Sequence, residues 1–394
     1  MERRFGELDP PRRVLMGPGP SEVPPRVLRA LSAPPLGYMD PAFLRIMDET
    51  QELLRFVFRT ENRLTLPVSG TGTAGMDTCL VNLVEPGDRV VVGVNGFFGA
   101  RMVDNARRLG AEVEAVEAPW GEALSPGEME RAVQKGRTKI VAVVHAETST
   151  GVLQPLEEIG ELAHRAGALF LVDTVTSLGG MEVNVDHWGI DVTFSASQKC
   201  LGCPPGLSPV TMGPRALGAL EGRRTQVPSF YLDIGMVNRY WGGERLYHHT
   251  APINMVYGLR EGLRLVEEEG LEARFRRHLG NHLALVAGLE ALGLRMHVAR
   301  GLRLPSLNTV RVPDGVDEAK VRKALLEDFQ IEIGAALGAL RGKVWRIGLM
   351  GHSCSPVNVF YLLGALGCIL RSAGFARDAG AGVVAAKERY GSLP

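Results

Sequence analysis

Cysteine is scarce in this sequence. Five in 394 residues build no disulfide framework of the kind that staples small secreted domains. Lysine is nearly as scarce: of 44 basic residues only seven are lysines, so chemistry that needs a primary amine has few candidates. Net charge is absent, because 44 acidic residues balance the basic ones, and no field remains to draw nucleic acid or an anionic membrane. Long hydrophobic runs are missing as well. The longest, "VNVFYLLGALGCIL" at 357–370, is too short to span a bilayer. Ser355 as N-cap and Pro356 in the first turn predict a core helix there. The amino-terminal "MERRFGELDPPRRVLMGPGP" has charge but no apolar stretch, so no secretory signal is expected, and the terminal "GSLP" is not a peroxisomal address. A cytoplasmic protein is the expectation. Cys200 and Cys203 form a C-x-x-C, but Cys79, Cys354 and Cys368 provide no second pair for zinc. Pro204 and Pro205 bar the helix that a redox motif needs, which leaves two incidental thiols in a loop and no metal.

What the chain does have is alternation. From about 60 to 215, short apolar runs ("LTLPVS", "RVVVGV", "EVEAVEA", "KIVAVVHAE", "ALFLVDTV", "VTFSAS", "LSPVTMG") alternate with segments of helical period. Unbroken, β-branched runs suit strands buried on both faces. The pattern predicts an α/β fold: a mostly parallel sheet flanked by helices, with ligands at the carboxyl ends of its strands. Residues 254–292 read as helix interrupted at Gly270. A smaller α/β pattern follows, with strands near 294–299, 307–312 and 343–349 and helices near 316–329 and 355–372. The expected division is an amino-terminal arm (1–20), a large domain (21–272) and a small domain (273–394).

Within "LTLPVSGTGTAGMDTCL", Gly70, Gly72 and Gly75 have the spacing G-x-G-x-x-G at a strand-to-helix turn. A dinucleotide fold also needs an acid at the end of the second strand to hold a ribose hydroxyl. Here "RVVVGV" ends in Asn95 and Gly96, Asp88 lies before that strand, and Arg101 falls in the next helix. The NAD-dependent oxidoreductase reading loses its second requirement. The turn remains a phosphate cradle, with Thr71, Gly72 and Thr73 at a helix start.

Two further residues narrow the phosphorylated ligand. "ALFLVDTV" puts Asp173 at a buried strand end, where a carboxylate is costly without a cationic partner; an Asp that caps the following segment would read the same way. "VTFSASQKCLGCPPG" puts Lys199, the only lysine between 140 and 319, at another strand end, where a surface loop lysine is the plainer account. Taken together, cradle, carboxylate and amine meet the demands of pyridoxal 5'-phosphate: an anion site, a partner for the ring nitrogen and a Schiff-base amine. "GKVWRIGLMG" adds Arg346 on a short strand, a planar fork suited to a substrate carboxylate or to a nearby Glu.

At this point the residues carry a resemblance. "MGPGPSEVPPRVL", "SGTGTAGMD", "EPGDRVVVGVNGFFGAR", "HAETSTGVLQPL", "LVDTVTSLGG", "DVTFSASQKCLGCPPGLS", "YHHTAPINMVYGLREGL" and "GKVWRIGLMG" run in order along nearly the whole chain. In these the sequence resembles the class V, fold-type-I pyridoxal-phosphate aminotransferases, in the alanine–glyoxylate and serine–pyruvate (serine–glyoxylate) branch. The resemblance implies that Lys199 is the Schiff-base lysine and Asp173 the ring-nitrogen partner. It puts Thr71, Gly72, Thr73 and Gln198 at the cofactor phosphate, and Thr148 near the phenolic oxygen. Val175 would pack one ring face and Phe98 the other, where close eukaryotic relatives carry Trp. Arg346, helped by backbone near Gly19, would bind the substrate carboxylate. Tyr247 and Thr250 would reach across a homodimer to the phosphate of the neighbouring subunit. Tyr38, in "GYMDPAF", departs from a histidine common in relatives. The implied activity is ping-pong transamination between alanine or serine and glyoxylate or pyruvate. Pyridoxamine–pyruvate and 2-aminoethylphosphonate aminotransferases, or a cysteine-desulfurase-like lyase, are the alternatives.

Overall fold

A computed structural model describes residues 6–392; the first five residues of the expected arm and the last two of "GSLP" lie outside the described residues. Each of the seven apolar runs becomes a strand of one sheet: β1 (Leu64–Ser69), β2 (Arg89–Val94), β3 (Glu112–Glu117), β4 (Ile140–Val144), β5 (Leu169–Asp173), β6 (Val192–Phe194) and β7 (Leu207–Met212). Their spatial order is β1-β7-β6-β5-β4-β2-β3. Strand β7 runs antiparallel to both neighbours and every other pair is parallel. Every residue of β4, β5 and β7 is buried, as expected where helices cover both faces. Edge strand β3 instead carries Glu112, Glu114 and Glu117, charges that discourage pairing with another chain.

The run "KIVAVVHAE" is not one strand. After Val144 the chain leaves the sheet, and Ala146–Glu147 pairs antiparallel with Val152–Leu153 in a ribbon of its own. Gly151 closes that turn at φ 79°, in the left-handed region that glycine tolerates. The departure lets Glu147 face a helix start instead of the sheet.

Two helices lead away from the carboxyl edge of the sheet: α1 (Gly72–Leu83) after β1 and α2 (Phe97–Arg108) after β2. Helix α1 packs tightly on β6 and β7. A Cβ at Gly75 would come within 3.0 Å of Phe194 Cβ and overlap the Ser208 hydroxyl. The glycine spacing therefore serves helix-on-sheet packing as well as the turn.

Beyond the sheet, helices Ile253–Glu269 and Leu271–Ala291 break at Gly270, as their sequence indicates. A four-stranded sheet follows, made of Arg295–Met296, Leu307–Arg311, Val344–Gly348 and Gly334–Ala335. Helices Glu318–Asp328 and Pro356–Ser372 pack near it, and Ser355 caps the latter by accepting from Asn358 N–H at 3.3 Å. One hydrophobic core surrounds the seven-stranded sheet, and a second is built on Trp345, Ile347, Leu362 and Leu363. Met16 joins this second core, and Val14–Leu15 pairs in parallel with Ile331–Glu332. Among the described residues no helix is long and apolar enough to cross a membrane.

Candidate active site

The carboxyl ends of β1, β2, β4, β5 and β6 converge on one cavity of about 180 Å³. Of the residues singled out in the sequence, Thr71, Gly72, Thr73, Phe98, Thr148, Asp173, Val175, Gln198 and Lys199 line it. They lie as much as 128 residues apart in the chain, and only the parallel strand order brings them together.

The cradle is the start of α1. Thr71 is the N-cap residue, yet its side chain does not cap the helix. The N–H groups of Gly72 and Thr73 have no acceptor among the described residues. Free amides at a helix N-terminus form a natural anion site. Close by, Gln198 Oε1 is buried with no hydrogen-bond partner among the described residues.

Asp173 ends β5, in register with Val144 on one side and Phe194 on the other. Its Oδ1 accepts from Val175 N–H at 2.8 Å, so it does cap the segment that follows. Among the described residues no cation pairs with it. Burial is the main cause that lifts its pKa to about 7; the Val175 bond opposes the rise and Glu147 adds to it. A buried carboxylate with no ion pair of its own among the described residues fits a protonated ring nitrogen as its partner.

Lys199 is not a surface lysine. Burial, with the Arg346 charge second, pulls its amine from 10.5 down to about 8. The amine donates to the carbonyl of Pro18. Gly19 beside it is at φ 107°, and a Cβ there would lie 3.0 Å from Lys199 Cε and closer still to the amine. Ser21 fixes the lysine's backbone, its hydroxyl donating to Lys199 O at 2.8 Å and its N–H to Gln198 O at 2.9 Å.

Arg346 is buried on strand Val344–Gly348 and does not line the cavity itself. It has no ion pair among the described residues. Its Nε donates to Ala335 O at 2.7 Å and its Nη1 to Thr148 O at 3.2 Å. Burial lowers its pKa to about 10. Thr148, in turn, shares a 2.5 Å hydrogen bond with the Thr176 hydroxyl. Tyr247 and Thr250 are exposed, their hydroxyls 3.4 Å apart, and neither lines the cavity. The neighbouring His249 Nε2 lies 3.0 Å from Ser69 Oγ, at the end of β1.

Sequence reasoning missed two charged residues here. Arg101, set aside as a helix residue, lines the cavity and donates to Thr73 Oγ1 at 3.1 Å. Its guanidinium lies 5.2 Å from the Phe98 ring centre, a cation–π distance; it stands one turn beyond Phe97–Phe98, a spacing that was legible. Glu147 went unnoticed because its contacts are all nonlocal or made through a turn.

The sequence-family pattern described as "Aminotransferase class-V" matches residues 14–369. The chain belongs to the class V aminotransferases. This aminotransferase is 42% identical to a (S)-ureidoglycine–glyoxylate transaminase of Bacillus subtilis over 98% of this chain and 97% of that one. It is 43% identical to an alanine–glyoxylate aminotransferase of Drosophila melanogaster, over 92% and 93% of the two chains. The crystal structure of an alanine–glyoxylate aminotransferase from Nostoc sp. superposes with a TM-score of 0.92 at 52% identity, covering 94% of this chain and 98% of that one. The aminotransferase is an enzyme of fold type I that uses pyridoxal phosphate.

Proposed function

We propose that this aminotransferase moves an amino group from a small donor to a small 2-oxo acid by a ping-pong route. The donors to consider are alanine, serine and ureidoglycine, and the acceptors glyoxylate and pyruvate; the names of the similar proteins supply ureidoglycine, alanine and glyoxylate. One observation carries the reading: the perturbed Lys199 amine and the buried Asp173 carboxylate line the same cavity as a helix N-terminus.

Thr71, Gly72, Thr73 and Gln198 would hold the cofactor phosphate, and Asp173 the ring nitrogen. Phe98 and Val175 would lie against its two faces, with Thr148 near the phenolic oxygen. When bound, pyridoxal phosphate supplies an aldehyde for an amine and a ring that accepts the electron pair left when Cα loses its proton. The rest falls to the chain. Lys199 Nζ, its pKa lowered to about 8, would accept the proton lost from Cα as a neutral base and, as the ammonium, would deliver it to the carbon that carried the cofactor's aldehyde. Arg346, with backbone at Gly19, would orient the substrate carboxylate. Tyr247 and Thr250 would complete the phosphate site of a partner subunit in a homodimer. We also read residues 21–272 as the cofactor-binding domain and 273–394 as a smaller domain that carries Arg346.

The test is a pair of half-reactions with the yellow cofactor-loaded protein. Alanine, serine or ureidoglycine should bleach it, and glyoxylate or pyruvate should restore the colour. If no amino acid of the panel bleaches a loaded protein, the transamination reading is overturned.

A further inference from the structure

Glu147 is the most enclosed acid near the site, with no exposed surface, and nothing in the roles above uses it. Its Oε2 accepts from Phe98 N–H at 3.1 Å and Gly99 N–H at 3.3 Å, both in the first turn of α2. Its Oε1 accepts from Ser149 N–H at 3.0 Å and Ser149 Oγ–H at 2.6 Å. All four partners donate, so the carboxylate has no oxygen free to carry a proton. Burial outweighs these four bonds and raises its pKa; since every contact is a donor, the contacts themselves favour the ionised form. A carboxylate at the start of α2 also meets the positive end of the helix. The seat is tight, since a Cβ at Gly96 would stand 2.5 Å from Glu147 Cδ.

The four bonds join two segments that both face the cavity. One is the start of α2, which carries Phe98 and, one turn on, Arg101. The other is the turn of Thr148 and Ser149, whose Thr148 carbonyl receives Arg346. Ser149 Oγ also accepts from Phe97 N–H at 2.9 Å, tightening the same junction. We infer that Glu147 is a positioning residue that sets the height and tilt of Phe98 against the cofactor ring by locking the start of α2 to the Thr148–Ser149 turn. It touches neither the cofactor nor the substrate. The inference rests on the reading of the cavity as the cofactor site, and extends it.

Glu147→Gln keeps the shape, removes the charge and sets an amide N–H₂ against donors. In the cofactor-free protein, hydrogen exchange at the Phe98 and Gly99 amides should quicken by about tenfold or more, since a buried donor that loses its acceptor opens more readily. In the loaded protein, cofactor affinity should fall by about tenfold and the visible circular dichroism of the bound cofactor should change. The KM for the oxo acid should not rise, because Arg346 loses a neighbouring negative charge and keeps its own bonds. A purely structural role would lower the yield of folded protein without this split. Should Glu147→Gln fail to fold, Ser149→Ala decides: it removes one of the four donors and should shift exchange and cofactor affinity in the same direction by about threefold. Unchanged amide exchange and unchanged cofactor affinity in the folded variant overturn the inference. If the wild-type protein itself takes up no cofactor, the site reading has failed instead, and the exchange result then stands alone.

Discussion

At Lys199 two electrostatic effects compete, and their balance decides how the residue can act. Burial and the Arg346 charge favour the neutral amine, while Asp173 favours the ammonium; the net result is a pKa near 8 where a free lysine has 10.5. The sign follows directly. Below pH 8 the amine is charged in both folded and unfolded chains and its burial costs stability in full; that cost fades between about 8 and 10.5 and is gone above. Labelling of Lys199 in the cofactor-free protein with an amine-selective reagent should therefore rise with a midpoint near pH 8, followed by peptide mass spectrometry. A midpoint near 10.5 would mean the amine is not perturbed as described. At Asp173 burial wins, lifting the carboxyl to about 7 against the Val175 N–H bond and the charges of Lys199 and Arg101. The strand end alone left it open between a cap and a cofactor partner, and only its company with the cradle and Lys199 singled it out. Glu147 was not legible: its acceptor bonds to Phe98 and Gly99 span 49 and 48 residues, and no local pattern marks them.

At the scale of elements, helix α1 performs two tasks with one glycine pattern. Gly70, at φ 139°, lets the chain turn out of β1; a Cβ at Gly72 would lie 3.1 Å from Ala196 Cβ, so its absence lets the helix start sit close to that residue; Gly75 lets the helix lie on β6 and β7. The last two are packing. Gly75→Ala should cost about 1–3 kcal/mol, the usual range for overpacking a filled interior, and lower the melting temperature in calorimetry. No loss would show that the neighbouring strands yield at Ser208. The strands of the sheet were legible as apolar runs because both faces are covered. The break after Val144 was not, since "HAE" continues an apolar alternation and only the turn at Gly151 and the pull of Glu147 on α2 divert it.

At the scale of the molecule, the amino-terminal arm connects the two halves. Val14–Leu15 joins the strand Ile331–Glu332, Met16 enters the second core, and within five residues Ser21 grips Gln198 and Lys199. The proposed homodimer belongs to this scale too. Tyr247 is exposed in the single chain and packs beside Tyr38 with ring centres 4.9 Å apart and the rings tilted by 45°. An aromatic pair left open at the surface is a natural element of an interface. The protein should sediment as a dimer, and Tyr247→Ala should weaken cofactor binding by about tenfold while leaving each chain folded. A monomer that binds the cofactor at full strength would exclude the shared site.

From the sequence alone came the alternation of strand and helix, the cradle at Gly70–Gly75, and the choice of Lys199 and Asp173, since these follow from local periodicity and from the scarcity of lysine. The folded chain alone decided that Arg101 lines the cavity, that Glu147 binds the start of α2 and that Arg346 hangs on the Thr148 carbonyl. Those depend on which strands lie side by side, a matter of contacts between residues far apart in the chain that neither composition nor spacing encodes.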